Sequence, residues 1–155
     1  KRFTPAGPDH AQIAAVNGMM DYLHAVAERH GSGGKPVQDQ AATVRTLFRD
    51  HETELLQPLL DYLSHHPKIR MIGRNLAVDR APTVAFTVEG QSSAALAERL
   101  AQAKLGVGVG NFYAYRLVKA LGIDVDDGVV RVSFVHYTSK AEVDRLIKTL
   151  DEMLA

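Results

Sequence analysis

Gly128-Val129-Val130-Arg131-Val132-Ser133-Phe134-Val135-His136-Tyr137 is the stretch from which the rest of the chain is best read. It leaves a turn, Asp126-Asp127-Gly128, and its β-branched density marks Val129 to His136 as the strongest strand in the sequence. A period of two puts Val129, Arg131, Ser133, Val135 and Tyr137 on one face, and Val130, Val132, Phe134 and His136 on the other. Just beyond it, Ser139-Lys140-Ala141-Glu142 is a capping box, opening a last helix with Val143, Leu146, Ile147, Leu150 and Leu154 inward.

Working upstream, Gly106-Val107-Gly108-Val109-Gly110 reads as a glycine-rich connection into a helix from about Asn111, which Gly122 ends. Ser92 or Ser93 caps a helix carrying Leu96, Leu100 and Ala103. Thr83 to Val88 alternates as a strand closed by Glu89-Gly90, and Ile69 to Ile72 is a shorter one, with a loop from Gly73 to Pro82 between them. Two long helices come first. Ile13, Val16, Met20, Leu23 and Ala27 recur at helical spacing after Asp9, ending at His30-Gly31. Past the soft joint Gly31 to Pro36, Val44, Phe48, His51 and Leu55 start a second stripe, and Leu56, Leu59, Leu60 and Leu63 continue it. Pro58 is expected to kink or restart that helix, and His65-His66-Pro67 ends it. The expected fold is α+β: two N-terminal helices, then a small, mostly antiparallel sheet with helices packed on one face. Residues 1–66 read as a helical arm and 67–155 as the α+β domain.

Composition narrows the function classes. The chain has 155 residues, 46% of them hydrophobic, with 18 basic and 18 acidic side chains and no cysteine. A chain this long buries roughly 68–70% of its unfolded surface and needs no covalent staple. Without cysteine there are no disulfides, thiolate ligands or cysteine nucleophile. A formal charge of zero argues against nucleic acid as a partner. No apolar run approaches the ~20 residues that span a bilayer, so no membrane association and a cytoplasmic location are expected. The start, Lys1-Arg2-Phe3-Thr4-Pro5, lacks methionine, as a processed or excised segment would.

Among candidate chemical groups, Arg131 stands out. A guanidinium on a rigid strand beside the Ser133 hydroxyl suits bidentate recognition of a carboxylate or phosphate. On spacing alone, a solvent-facing arginine on a half-exposed sheet is the simpler account. The Gly106 to Gly110 passage lacks the lysine and Ser/Thr of a phosphate-binding loop, so a tight connection fits it better than a nucleotide site. Seven histidines show no metal-ligand spacing, and no metal is expected. No GxSxG elbow exists for a serine triad. Tyr113, within Asn111-Phe112-Tyr113-Ala114-Tyr115, is a candidate pocket aromatic, although aromatics so clustered more often serve packing.

Arg80 to Phe86, Gly108 to Ala114 and Gly128 to Tyr137 together resemble the C-terminal domain of pyridoxal-phosphate enzymes of the class V aminotransferase group, in particular its cysteine-desulfurase-like members. The strand with Arg131 and Ser133, then His136-Tyr137, then the capped helix with Glu142-Val143-Asp144-Arg145-Leu146, carries the likeness. Phe3 to His10 resembles the family's Gly-Thr-Pro-Asn-His segment. The resemblance implies that Arg131 grips the substrate α-carboxylate, with Asn111 and Tyr113 lining the substrate pocket and Ser133 and Tyr137 supporting it. It also implies that Gly7 approaches the phosphate of pyridoxal phosphate across a homodimer.

The chain also departs from the family pattern. Tyr113 stands where a desulfurase carries its catalytic cysteine, which excludes persulfide chemistry on this segment. Thr138 replaces the asparagine after the His-Tyr pair, and Ala6-Gly7-Pro8-Asp9 lacks the phosphate-binding hydroxyl. None of the seven lysines lies in a motif like that of the family's Schiff-base lysine. The expectation is therefore the C-terminal part of a pyridoxal-phosphate-dependent enzyme acting on an amino acid, silent without an upstream cofactor domain. The rival is a stand-alone α+β module for ligand binding or dimerisation.

Overall fold

The computed structural model describes residues 9–155, so Gly7 lies outside the described residues. The chain divides into two compact units, one ending at Arg49 and the other running from Asp50 to Ala155.

The first unit holds α1 (His10–Arg29) and the opening of α2 (Val37–His65). The Asp9 carboxylate caps α1 by accepting from the backbone N–H groups of Ala11 and Gln12. At the other end the buried Ser32 hydroxyl donates to the Ala27 carbonyl, satisfying a helix-end acceptor. His24 Nδ1 and Gln40 Oε1 lie 2.6 Å apart, linking the two helices. Ala27, at the end of the expected stripe, is fully buried, whereas Ile13, Val16, Met19, Met20 and Tyr22 are exposed.

Pro58 neither ends nor restarts α2, which is one helix from Val37 to His65. The proline deprives the Glu54 carbonyl of its intrahelical donor, but Glu54 and Pro58 are both exposed, so water can substitute.

The second unit is built on four strands, β1 (Ile69–Ile72), β2 (Thr83–Val88), β3 (Gly108–Gly110) and β4 (Val129–Ser133), in the order β1-β2-β4-β3 with every pair antiparallel. The helices are the remainder of α2, α3 (Ser93–Gln102), the short α4 (Tyr115–Ala120) and α5 (Lys140–Leu154). Ser92 caps α3, and Ser139 with Glu142 forms the anticipated capping box on α5. The fold is thus the α+β arrangement read from the sequence.

Three local details differ. The expected glycine connection contains an edge strand, β3, paired with β4 through Gly108↔Arg131 and Gly110↔Val129. The helix after it starts at Tyr115, because Phe112 and Tyr113 take left-handed backbone angles (φ +50° and +62°) that no α-helix accommodates. β4 stops at Ser133, since Thr138 turns the chain: its N–H donates to the Val135 carbonyl, and its hydroxyl accepts from the Val135 N–H.

One sheet face forms the core. Val84 and Phe86 of β2 stand opposite Val132 and Val130 of β4, and all four are buried. They join Leu56, Leu59, Leu60 and Leu63 of α2, Leu96 and Leu100 of α3, and Val143, Leu146, Leu150 and Leu154 of α5 in one cluster. Each fully buried side chain of this kind stabilises the fold by about 1.5–3 kcal/mol. The leucines of α2 therefore pack within the α+β unit. The opposite face carries Arg131 across from Ala85 and Gly108, and Ser133 across from Thr83. Among the described residues no helix is long and apolar enough to cross a membrane.

Candidate functional site

Arg131 occupies the middle of β4 with β2 on one side and β3 on the other, so its backbone is held from both edges. Its neighbour on β3 is Gly108. A Cβ at that position would lie 2.9 Å from Phe112 Cζ and 3.6 Å from Arg131 Nε, so the absent side chain leaves room for both. The Phe112 ring centroid is 3.9 Å from Arg131 Cζ, a close cation–π contact. Arg131 Nε is buried and has no hydrogen-bond partner among the described residues. The ion pairs Lys140–Asp144 and Lys148–Glu152 lie on α5, away from it. An unpaired buried donor costs about 1–3 kcal/mol. Arg131 as a whole is only half-buried, so the terminal nitrogens of its guanidinium are the part that an anion can reach.

The segment from Asn111 to Ala114 places the aromatic plate. Asn111 Nδ2 donates to the Val125 carbonyl at 3.1 Å, Asn111 Oδ1 accepts from the Tyr113 N–H at 3.1 Å, and the Ala114 N–H donates to the Asn111 carbonyl at 2.8 Å. These bonds offset the cost of two successive non-glycine residues in the left-handed region, on the order of 1–3 kcal/mol each. The Asn111 side chain is thus engaged in the turn, and the Tyr113 side chain is fully exposed. Phe112, not singled out in the sequence, is the residue that touches the guanidinium. Its signal would have been the register that sets Gly108 beside Arg131, three residues before the turn opens at Asn111.

Further along the same face, Thr83 Oγ1 and Ser133 Oγ are 3.1 Å apart. Arg80 donates to the carbonyls of Thr83 and Arg74, and burial together with the charge of Arg74 lowers its pKa from the ordinary arginine value. Tyr137 is exposed, with its ring edge-on to His136 at 5.2 Å.

The start of β4 is pinned by Asp127. Its carboxylate accepts from the Ser92 hydroxyl at 2.6 Å and from the N–H groups of Ser93 at 2.7 Å and Ala94 at 3.2 Å, at the N-terminus of α3. Burial pushes this carboxyl up, but the hydrogen bonds outweigh it and hold it below the usual aspartate range. Ser93 Oγ donates to the Gly128 carbonyl, so the entrance to the Arg131 strand is tied to α3.

No cluster of three or more His, Asp or Glu side chains fit to hold a metal occurs among the described residues. Every described lysine is exposed, and Lys68, Lys140 and Lys148 engage the α5 C-terminus, Asp144 and Glu152. The described residues do not assemble a buried lysine pocket for pyridoxal phosphate.

Comparison with known proteins bears on the fold and the family. The profile of the family Aminotransferase class-V matches residues 43–146, more than half of the chain. An aminotransferase-like protein, FGM3, of Gibberella zeae is 44% identical over 110 residues, covering 68% of this chain and 27% of that protein. A cysteine desulfurase-like protein, ustD, of Aspergillus flavus is 36% identical over 108 residues, covering 66% of this chain and 25% of its own length. The chain thus spans about a quarter of each of these relatives. Among solved structures, an apo cysteine desulfurase from Thermococcus onnurineus superposes with a TM-score of 0.66 at 24% identity, over 76% of this chain and 28% of that one. The cysteine desulfurase CsdA of Escherichia coli gives 0.58 at 25% identity, over 69% and 26%.

Proposed function

The chain belongs to the aminotransferase class V family, and we propose that it forms the carboxylate-recognising C-terminal lobe of a pyridoxal-phosphate-dependent enzyme acting on an amino acid. The observation that carries this reading is the half-buried Arg131 guanidinium, seated on the Phe112 ring with no acidic partner among the described residues. A carboxylate is a planar acceptor with two oxygens and matches the guanidinium edge bidentately. Pyridoxal phosphate, when bound, supplies an electron sink for a bond at the substrate's Cα or Cβ. The groups that would hold it belong to the remainder of such an enzyme, with Gly7 the proposed contact from this chain toward the phosphate in a homodimer. The role of Arg131 is to fix the substrate's orientation. Ser133 and Thr83, hydroxyls on the same face, are available beyond it. In this reading the segment alone catalyses nothing and works in the cytoplasm.

The test is Arg131→Ala in the enzyme that carries this chain. KM for the amino acid should rise strongly while the visible absorbance of the cofactor is retained. Unchanged KM would refute the assignment.

A further inference from the structure

We propose that Phe112 is the positioning residue for Arg131, an aromatic plate on which the guanidinium rests with its terminal nitrogens free to meet a ligand. The inference rests on the carboxylate reading of Arg131 and goes beyond it, because it assigns the selectivity of the site to the ring rather than to the charge alone.

Three observations converge on Phe112. Arg131 Cζ lies over its ring at 3.9 Å from the centroid, well within cation–π range. Its backbone is held at φ +50° beside Tyr113 at φ +62°, a conformation that two Asn111 side-chain hydrogen bonds maintain. Directly beneath, Gly108 leaves the space that the ring edge and Arg131 Nε share, since a Cβ there would come within 2.9 Å of Phe112 Cζ. A strained turn and a missing side chain thus cooperate to set one ring against one cation. The ring accepts no in-plane hydrogen bond, so it fixes the guanidinium without consuming its donors. Nε accordingly remains buried and unpartnered.

The chemical consequence is a preference for ligands that bring two coplanar oxygens to the edge. A flexible arginine would also accept single-oxygen acceptors at other angles, and an uncovered one would stack on aromatic ligands. With Phe112 in place, an α-carboxylate is favoured over the corresponding carboxamide by charge and by geometry together.

In the enzyme that carries this chain, the experiment follows the Arg131 Nε–Hε resonance and the backbone amides of β4 by NMR, titrating with L-alanine and, separately, L-alaninamide. In the wild-type enzyme the Hε proton should be displaced by the Phe112 ring current, and L-alanine but not L-alaninamide should move the signals. Phe112→Tyr should behave as wild type. Phe112→Leu should lose the ring-current displacement and bind L-alanine about two- to thirty-fold more weakly. Gly108→Ala, which presses on the far end of the ring, should reproduce that loss and serves if Phe112→Leu fails to fold. If Phe112→Leu or Gly108→Ala binds L-alanine as wild type does while Arg131→Gln does not bind it, the role of Phe112 is overturned and Arg131 stands. If L-alanine leaves the wild-type signals unmoved, the reading of Arg131 falls, and the proposal with it.

Discussion

Gly128 and Gly110 meet backbone to backbone: a Cβ on Gly128 would sit 2.2 Å from the carbonyl carbon of Gly110. The contact lies where β4 begins and β3 ends, and Gly128 is at φ +67°. Both backbones must approach this closely for β3 to pair with β4 beside Arg131.

Gly128→Ala should therefore destabilise the fold by about 3 kcal/mol or more, since it adds a backbone overlap to left-handed strain. Gly90 is the internal comparison, with φ +71° and open space around its Cβ position. Gly90→Ala should cost only the strain, about 1–2 kcal/mol. Urea denaturation of the two variants checks the difference, and equal losses would mean that the strands yield at Gly128.

Tyr62 carries a buried hydroxyl with no partner among the described residues, and burial followed by the charge of Asp151 pushes its pKa up to about 12. The unfolded phenol titrates near 10. A folded value above the unfolded one means that stability is intact below pH ~10 and lost as pH rises through ~12. Tyr62→Phe should be as stable as wild type at neutral pH, because no hydrogen bond is removed, and it should lack this alkaline loss. Thermal melts from neutral pH to pH ~12 read both effects, and a marked loss of stability at neutral pH would reveal a partner for the hydroxyl.

Asp127 and Glu142 have the opposite sign. Hydrogen bonds from Ser92, Ser93 and Ala94 overcome the upward push of burial at Asp127, and those from the Ser139 backbone and hydroxyl lead at Glu142, so both carboxyls are held below their usual range. Their stabilisation is present above the unfolded values near 4 and is lost as pH falls through the depressed folded values. Asp127→Asn should weaken the fold at neutral pH and flatten its acid limb. An acid limb as steep as that of wild type would place the proton uptake elsewhere.

How much of this was readable from sequence depends on what each element owes to its neighbours. Arg131 could be placed on a polar face because strand alternation is local, and Val130 and Val132 duly lie in the core. The cap at Ser139–Glu142 is likewise local. Gly108-Val109-Gly110 has no strand propensity of its own and becomes β3 only by pairing with β4. Phe112 looks like any packing aromatic until that pairing sets Gly108 beside Arg131. The start of α4 moved to Tyr115 because the turn at Phe112 and Tyr113 is held by a bond to the distant Val125 carbonyl. Pro58 was tolerated because its helix face is exposed.

The most direct measurement is a crystal structure of the protein with L-alanine bound. Both carboxylate oxygens are expected at the guanidinium of Arg131, about 2.7–2.9 Å from its terminal nitrogens, with the Phe112 ring still beneath the cation. A ligand carboxylate bound away from the Arg131 guanidinium would contradict that role.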